Sequence, residues 1–202
     1  PLGSRAAGAG RARARERSAG GAGTTGLRTV DKVGATSRHG PLERNPVDHE
    51  TRTQVAGRLL AAYESREPLE PLTSTYEGMT LEDSYAIQLL QIEQRLASGR
   101  TVQGHKVGLT SAAMQRLLGV TEPDYGHLLD DFFHLEHAPI PMSLFLQPRV
   151  EPEVAFVLKK PLKGPGVTVH EALRAIDFVL PALEIVDSRI RDWKIGLLDT
   201  IA

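Results

Sequence analysis

The amino-acid sequence predicts an α+β domain with its helices first and its strands after them, on three observations. Between about residues 49 and 98 the apolar residues recur at helical spacing. From Thr101 onward they fall into short extended runs, rich in β-branched residues and divided by Gly and Pro. The chain has 202 residues, 41% of them apolar, with a mean hydropathy of −0.22, enough for one domain with a real core.

The first 46 residues are expected to stand outside that domain as a disordered tail. Pro1-Leu2-Gly3-Ser4 has the form of a scar left by a tag-removing protease. The Gly, Ala and Arg residues after it, including Arg11, Arg13, Arg15 and Arg17, show no sustained apolar periodicity. Such a segment buries too little surface to offset its ordering entropy. A nucleic-acid arm and a transit peptide are the alternatives for a run so rich in Arg. Residues 1–46 hold nine Lys/Arg against three Asp/Glu, whereas residues 47–202 hold fifteen against twenty-two. The domain of residues 47–202 is therefore acidic and offers no basic footprint for nucleic acid.

Within the domain, Val55, Leu59, Leu60 and Tyr63 predict a helix over about 49–66, and Pro68 and Pro71 break the chain after it. Thr80 with Asp83 forms a capping box for a second helix, whose predicted inner face is Tyr85, Leu89, Ile92 and Leu96 and whose stop is Gly99. A strand over Val102–Leu109, a short helix over Ser111–Leu118 and a loop-rich stretch over 119–148 follow. Next come a strand over 150–159, a turn at Lys163–Gly166, a helix over about 169–176 capped by Thr168 and Glu171, and a strand over 178–187. No apolar run approaches the ~20 residues of a membrane-spanning helix, so no membrane partner is expected. The chain has no cysteine, which excludes disulfides, zinc-thiolate sites and a Cys nucleophile and fits a cytoplasmic enzyme.

Three carboxylates interrupt the last two strands. Glu151 and Glu153 are two residues apart, so in an extended strand they leave the same face, roughly 7 Å apart at the backbone. Glu184 stands among Leu180, Ala182, Leu183, Ile185 and Val186 with no alternating polar partner. A carboxylate in covered surroundings needs a counter-charge, a proton or a cation. Three that converge point to a hard divalent metal such as Mg²⁺ or Mn²⁺. The plainer alternatives are an edge strand with a wet face for the pair, and an ion pair with Arg149 or Arg189 for Glu184.

Lys106, inside the Gly-bounded Gly104-His105-Lys106-Val107-Gly108, is a candidate acid, base or carboxylate anchor, with an exposed lysine as the alternative. The Gly-Lys-Ser/Thr order of a phosphate-binding loop is absent. Glu122-Pro123-Asp124-Tyr125-Gly126 reads as a turn. His127, His134 and His137 match zinc-ligand spacing poorly, and no Gly-x-Ser-x-Gly element supports a serine hydrolase.

Taken together, Gly104-His105-Lys106-Val107-Gly108-Leu109-Thr110-Ser111, Glu122-Pro123-Asp124-Tyr125-Gly126, Gln147-Pro148-Arg149-Val150-Glu151-Pro152-Glu153-Val154-Ala155 and Leu180 through Ile190 resemble the 2-keto-4-pentenoate hydratases. These group with the 4-oxalocrotonate decarboxylases in the fumarylacetoacetate hydrolase superfamily. The resemblance implies N-terminal helices packed on a β-rich core, homo-oligomeric assembly, and a Mg²⁺- or Mn²⁺-dependent hydro-lyase of meta-cleavage catabolism of aromatic or steroid rings. It implies Glu151, Glu153 and Glu184 as metal ligands, and Lys106 and Asp124 as catalytic candidates. The substrate implied is a 2-hydroxy-2,4-dienoate, hydrated to a 4-hydroxy-2-oxo acid, with a pathway aldolase as a partner that consumes the product. Family chains continue past Ala202, so this chain is expected to be truncated, lacking its C-terminal part. A decarboxylase and a non-catalytic scaffold subunit are the competing readings.

Overall fold

The computed structural model describes residues 47–202; the Gly/Ala/Arg-rich stretch and its tag-like start lie outside the described residues. The first helix, α1 (His49–Ser65), starts where Asp48 accepts a 2.8 Å hydrogen bond from the Thr51 amide, and ends at Arg66 in the left-handed conformation (φ 63°). A one-turn helix, α2 (Leu72–Thr75), follows Pro71. Helix α3 (Leu81–Ala97) carries the capping box expected of Thr80 and Asp83.

Asp83 does more than cap. Fully buried, it also accepts from the Val47 amide and from Arg52 of α1, whose guanidinium approaches to 2.6 Å. Burial by itself would raise the carboxyl's pKa, but the hydrogen bonds from Thr80, Val47 and Arg52 outweigh it and hold the group below the usual Asp range. One side chain thus fixes the starts of both long helices.

The inner face of α3 differs from the sequence expectation. Asp83, Ser84, Ile87 and Gln91 are buried, whereas Leu89 and Leu96 are exposed. The buried stripe is a different one, in which Ile87 packs beside Asp83 and Gln91, two polar groups held by tertiary hydrogen bonds to Arg52 and to the Ala202 carbonyl. Gln91 donates to the backbone carbonyls of Ile87 and Ala202, which satisfies its amide in the interior.

Among the described residues the strands form two separate antiparallel ribbons. In the first, β1 (Val102–Gly108) pairs with β2 (Asp124–Leu129); in the second, β3 (Arg149–Leu158) pairs with β4 (Ile176–Val186). Helix α4 (Ala112–Leu118), capped by Ser111, lies within the first connection, and α5 (Val169–Ala175), with the Thr168–Glu171 capping box, within the second. The last helix is α6 (Leu197–Ile201). Strand β2, inside the stretch expected to be loop-rich, corrects the reading of Asp124–Gly126 as a turn: Asp and Gly are poor strand formers, and pairing with β1 overrides that preference.

The buried core is helical rather than β-rich. Val55, Ala56, Leu59, Leu72, Met79 and Ile87 gather with Ile190 and Ala202 from beyond β4. Leu69 and Ile190 form a parallel bridge that draws the segment after β4 into this layer. On the second ribbon, Val150, Val154 and Phe156 of β3 and Val179 and Leu183 of β4 are exposed and share one face by the strand register. Among the described residues no helix is long and apolar enough to cross a membrane.

Candidate metal centre

Register assembles the carboxylates. Glu151 of β3 lies directly opposite Glu184 of β4, and Glu153 opposite Ala182. Directly opposed side chains in an antiparallel pair share a face, and alternation returns Glu153 to it. One ligand oxygen from each of Glu151, Glu153 and Glu184 lies within 4.8 Å of the others. Like charges directly opposed on a sheet destabilise the pairing, so this arrangement calls for positive charge.

Part of that charge is Lys106. Its Nζ is 3.3 Å from Glu184 Oε1, with 32% and 21% of the two side chains exposed. This answers the question of a partner for Glu184: the cation comes from the other ribbon, not from Arg149 or Arg189. Arg189 instead hydrogen-bonds Gln91, and Arg149 stacks on Trp193. The covered surroundings expected for the carboxylates are only partly present, since Glu151 and Glu153 are exposed and Glu184 is half-buried. Their convergence rests on register rather than on burial.

The glycines of the first ribbon position the other two candidates. Lys106 pairs across the strands with Gly126, and Gly108 with Asp124, so both side chains leave the same face and each lies over a glycine. A Cβ at Gly108 would collide with the Asp124 carboxylate, and one at Gly126 would come within 3.3 Å of Lys106 Cγ. Gly-x-Lys-x-Gly and Asp-x-Gly are thus two halves of one interlocked surface, with Asp124 7% exposed and Lys106 reaching across to Glu184. That pattern was present in the sequence, but only the antiparallel register makes it legible.

Other candidates fall away. Among the described residues, Glu151, Glu153 and Glu184 form the one group of three or more acidic or imidazole side chains close enough to share a metal, and His127, His134 and His137 form none. His127 Nδ1 lies 3.0 Å from Gln88 Oε1, and burial with the neighbouring His105 pushes its imidazole below the usual histidine pKa.

The donor set fits a hard divalent cation. It is all oxygen, it carries three formal negative charges against one ammonium, and neither the Glu151 nor the Glu153 side chain has a hydrogen bond or ion pair among the described residues.

No family model matches the chain. It is 46% identical over 151 residues to a 2-keto-4-pentenoate hydratase of Paraburkholderia xenovorans, covering 75% of this chain and 56% of that protein. It is 46% identical over 150 residues to a 2-hydroxypent-2,4-dienoate hydratase of Pseudomonas putida, covering 74% and 68%, and 46% identical over 142 residues to a 2-oxo-hept-4-ene-1,7-dioate hydratase of Escherichia coli, covering 70% and 53%. Among solved structures it superposes on 4-oxalocrotonate decarboxylase from Pseudomonas putida G7, complexed with magnesium and adipate, with a TM-score of 0.73 and 30% identity over 77% of this chain and 59% of that one.

Fold and site therefore define an α+β protein of the fumarylacetoacetate-hydrolase-like class. Within it, the chain belongs to the 2-keto-4-pentenoate hydratase / 4-oxalocrotonate decarboxylase family. It spans 56% of the length of the first hydratase named above.

Proposed function

We propose that this chain carries the metal-binding and proton-transfer parts of a hydro-lyase that converts a 2-hydroxy-2,4-dienoate to a 4-hydroxy-2-oxo acid in meta-cleavage catabolism of aromatic or steroid rings. The observation that carries this reading is the convergence of Glu151, Glu153 and Glu184 on one sheet face with Lys106 attached to it. In this reading the three glutamates hold Mg²⁺ or Mn²⁺. When bound, the cation supplies Lewis-acid stabilisation of negative charge on the substrate's carboxylate and 2-oxygen.

The chain's own residues then move protons. Loss of the 2-hydroxyl proton and protonation at C5 give the 2-oxo-3-enoate, whose C4 is electrophilic. Addition of water places hydroxide on C4 and a proton on C3. Lys106 is suited to donating the proton or to stabilising enolate charge, since it is an ammonium held on the carboxylate face. Asp124, on the same ribbon face and largely shielded from solvent, is suited to taking the proton from the attacking water.

The rival within the family is a decarboxylase that would release CO2 from a 2-oxo dicarboxylate, favoured by the solved-structure likeness. The hydratase is preferred because the relatives bearing that name reach 46% identity, against 30% for the decarboxylase. Homo-oligomeric assembly belongs to the same reading and is supported by the exposed apolar face of Val150, Val154, Phe156, Val179 and Leu183. An aldolase acting next would cleave the 4-hydroxy-2-oxo product.

Product analysis by mass spectrometry tests the proposal. The protein is incubated with Mg²⁺ or Mn²⁺ and, separately, 2-hydroxypenta-2,4-dienoate and 2-oxo-hex-3-enedioate. Metal-dependent gain of water on the first is the expected result. Loss of CO2 from the second would move the assignment to the decarboxylase, and silence on both would favour a scaffold subunit.

A further inference from the structure

The reverse face of the first ribbon carries chemistry that the carboxylate centre does not use. Lys106 and Asp124 leave one face of β1 and β2, and alternation sends His105, Tyr125 and His127 to the other. His105 and His127 lie directly opposite each other in the register, and their rings stand 4.9 Å apart, centre to centre, tilted by 57°. Tyr125 walls the pair, its ring 6.5 Å from that of His105 and 6.1 Å from that of His127, and is itself stacked on Tyr85 of α3.

Gln88 of α3 decides which imidazole nitrogen is available. Its side-chain NH2 donates to the carbonyls of Tyr125 at 3.2 Å and Ile201 at 2.9 Å. Its Oε1, 3.0 Å from His127 Nδ1, can only accept. The ring proton of His127 therefore sits on Nδ1, and the lone pair is on Nε2. A histidine that donates one ring N–H to a fixed acceptor and keeps the other nitrogen bare is arranged as metal-ligating histidines are. Burial, with His105 beside it, holds the His127 imidazole below the usual histidine pKa and so favours this neutral form. His105 is exposed, and neither of its ring nitrogens has a hydrogen bond among the described residues.

The ring spacing suits a shared cation. With a metal–nitrogen bond of about 2.0–2.1 Å and about 1.1 Å more to the ring centre, two imidazoles held at about 90–109° stand about 4.5–5.2 Å apart. The observed separation falls inside that range. We propose that His105 and His127 form a two-histidine site for a borderline divalent cation such as Zn²⁺, on the face of the ribbon opposite Lys106, with water completing the coordination. Nitrogen ligands set it apart from the glutamate centre, whose oxygens suit Mg²⁺ or Mn²⁺. The ligand that His127 lacks along the chain, at His134 and His137, is supplied across the strands by His105. A cation held there ties β1 to β2 at one rung, and so clamps the register that sets Lys106 against Gly126 and Asp124 against Gly108. The site does not depend on the hydratase reading.

Zn²⁺ binding is measured by calorimetry for the wild type, His105→Ala, His127→Gln and Glu184→Gln. Excess Mg²⁺ is present throughout, to occupy the carboxylates while leaving imidazole free. Loss of an outer-shell partner alone costs about 10–100-fold in metal affinity, so loss of either histidine should weaken Zn²⁺ binding by at least about tenfold. Glu184→Gln should leave it within about twofold. His105 is exposed, so its substitution probes the site without disturbing the core. Electron paramagnetic resonance of added Cu²⁺ should show hyperfine splitting from two nitrogens in the wild type and from one in His105→Ala. No Zn²⁺ binding by the wild type, affinity unchanged by both histidine substitutions, or a loss confined to Glu184→Gln overturns the site. Each of these results leaves the glutamate centre to its own Mn²⁺ titration, so the two readings fail separately.

Discussion

Substituting Gly108 by Ala isolates the interlock between the two strands of the first ribbon. Gly108 lies in β1, and its φ is outside the left-handed range, so alanine meets no backbone objection there. On entropy alone the change would stabilise the strand by about 0.5–1 kcal/mol. The added Cβ, however, would meet the Asp124 side chain, whose Cγ is 3.1 Å away and whose nearer oxygen is closer still. Asp124 is buried, so its carboxylate has little room to retreat. Overpacking of this kind costs about 1–3 kcal/mol. The balance predicts a net destabilisation of about 0.5–2 kcal/mol, read as a shift of the urea midpoint. Gly126→Ala is the internal control: its new Cβ meets only the flexible stem of Lys106 at 3.3 and 3.5 Å, so its effect should be smaller. Adding Asp124→Ala to Gly108→Ala removes the obstacle, and the double-mutant cycle should show a favourable coupling of about 1 kcal/mol. Strict additivity, or a Gly126→Ala effect equal to that of Gly108→Ala, would refute the interlock.

Two further predictions concern single side chains. Lys106→Ala should lower turnover of the dienoate by about 10²–10⁴-fold, the range of general acid–base catalysis, while Mn²⁺ affinity is kept or improved because an ammonium leaves the carboxylate face. Steady-state rates and a metal titration check the two halves separately. Asp83→Asn should destabilise the fold by about 2–3 kcal/mol through loss of the charged bonds to Arg52 and the backbone amides. The Asp83 carboxyl is held below the usual Asp range, so the stability it adds is fully present above the unfolded-state pKa and is lost as pH falls through the lower folded value. Denaturation midpoints measured between pH 7 and pH 2 should fall less steeply in Asp83→Asn than in the wild type.

Much of the fold was legible because the signals were local. Apolar periodicity placed α1 and capping residues placed the starts of α3 and α5, each to within about a residue, and β-branched runs placed β3 and β4. What escaped depended on partners distant in sequence. Strand β2 is made of residues that favour turns and exists through its pairing with β1. The buried face of α3 is set by Asp83 and Gln91, polar groups whose hydrogen bonds run to α1 and to Ala202. The site followed the same division. The two-residue spacing of Glu151 and Glu153 was readable, but the register that sets Glu151 against Glu184 was not, nor was the reach of Lys106 from the other ribbon. Arg149 entered the sequence reading only as a possible mate for Glu184; its stacking on Trp193, 44 positions along the chain, has no sequence signature.

The most direct test of the metal-site claim is a Mn²⁺ titration followed by electron paramagnetic resonance, on the wild type and on Glu184→Gln. The account predicts one bound ion per chain in the wild type, with affinity reduced by at least about tenfold on removal of one of the three carboxylate ligands. Stoichiometric binding that Glu184→Gln leaves unchanged, or no binding by the wild type, would contradict it.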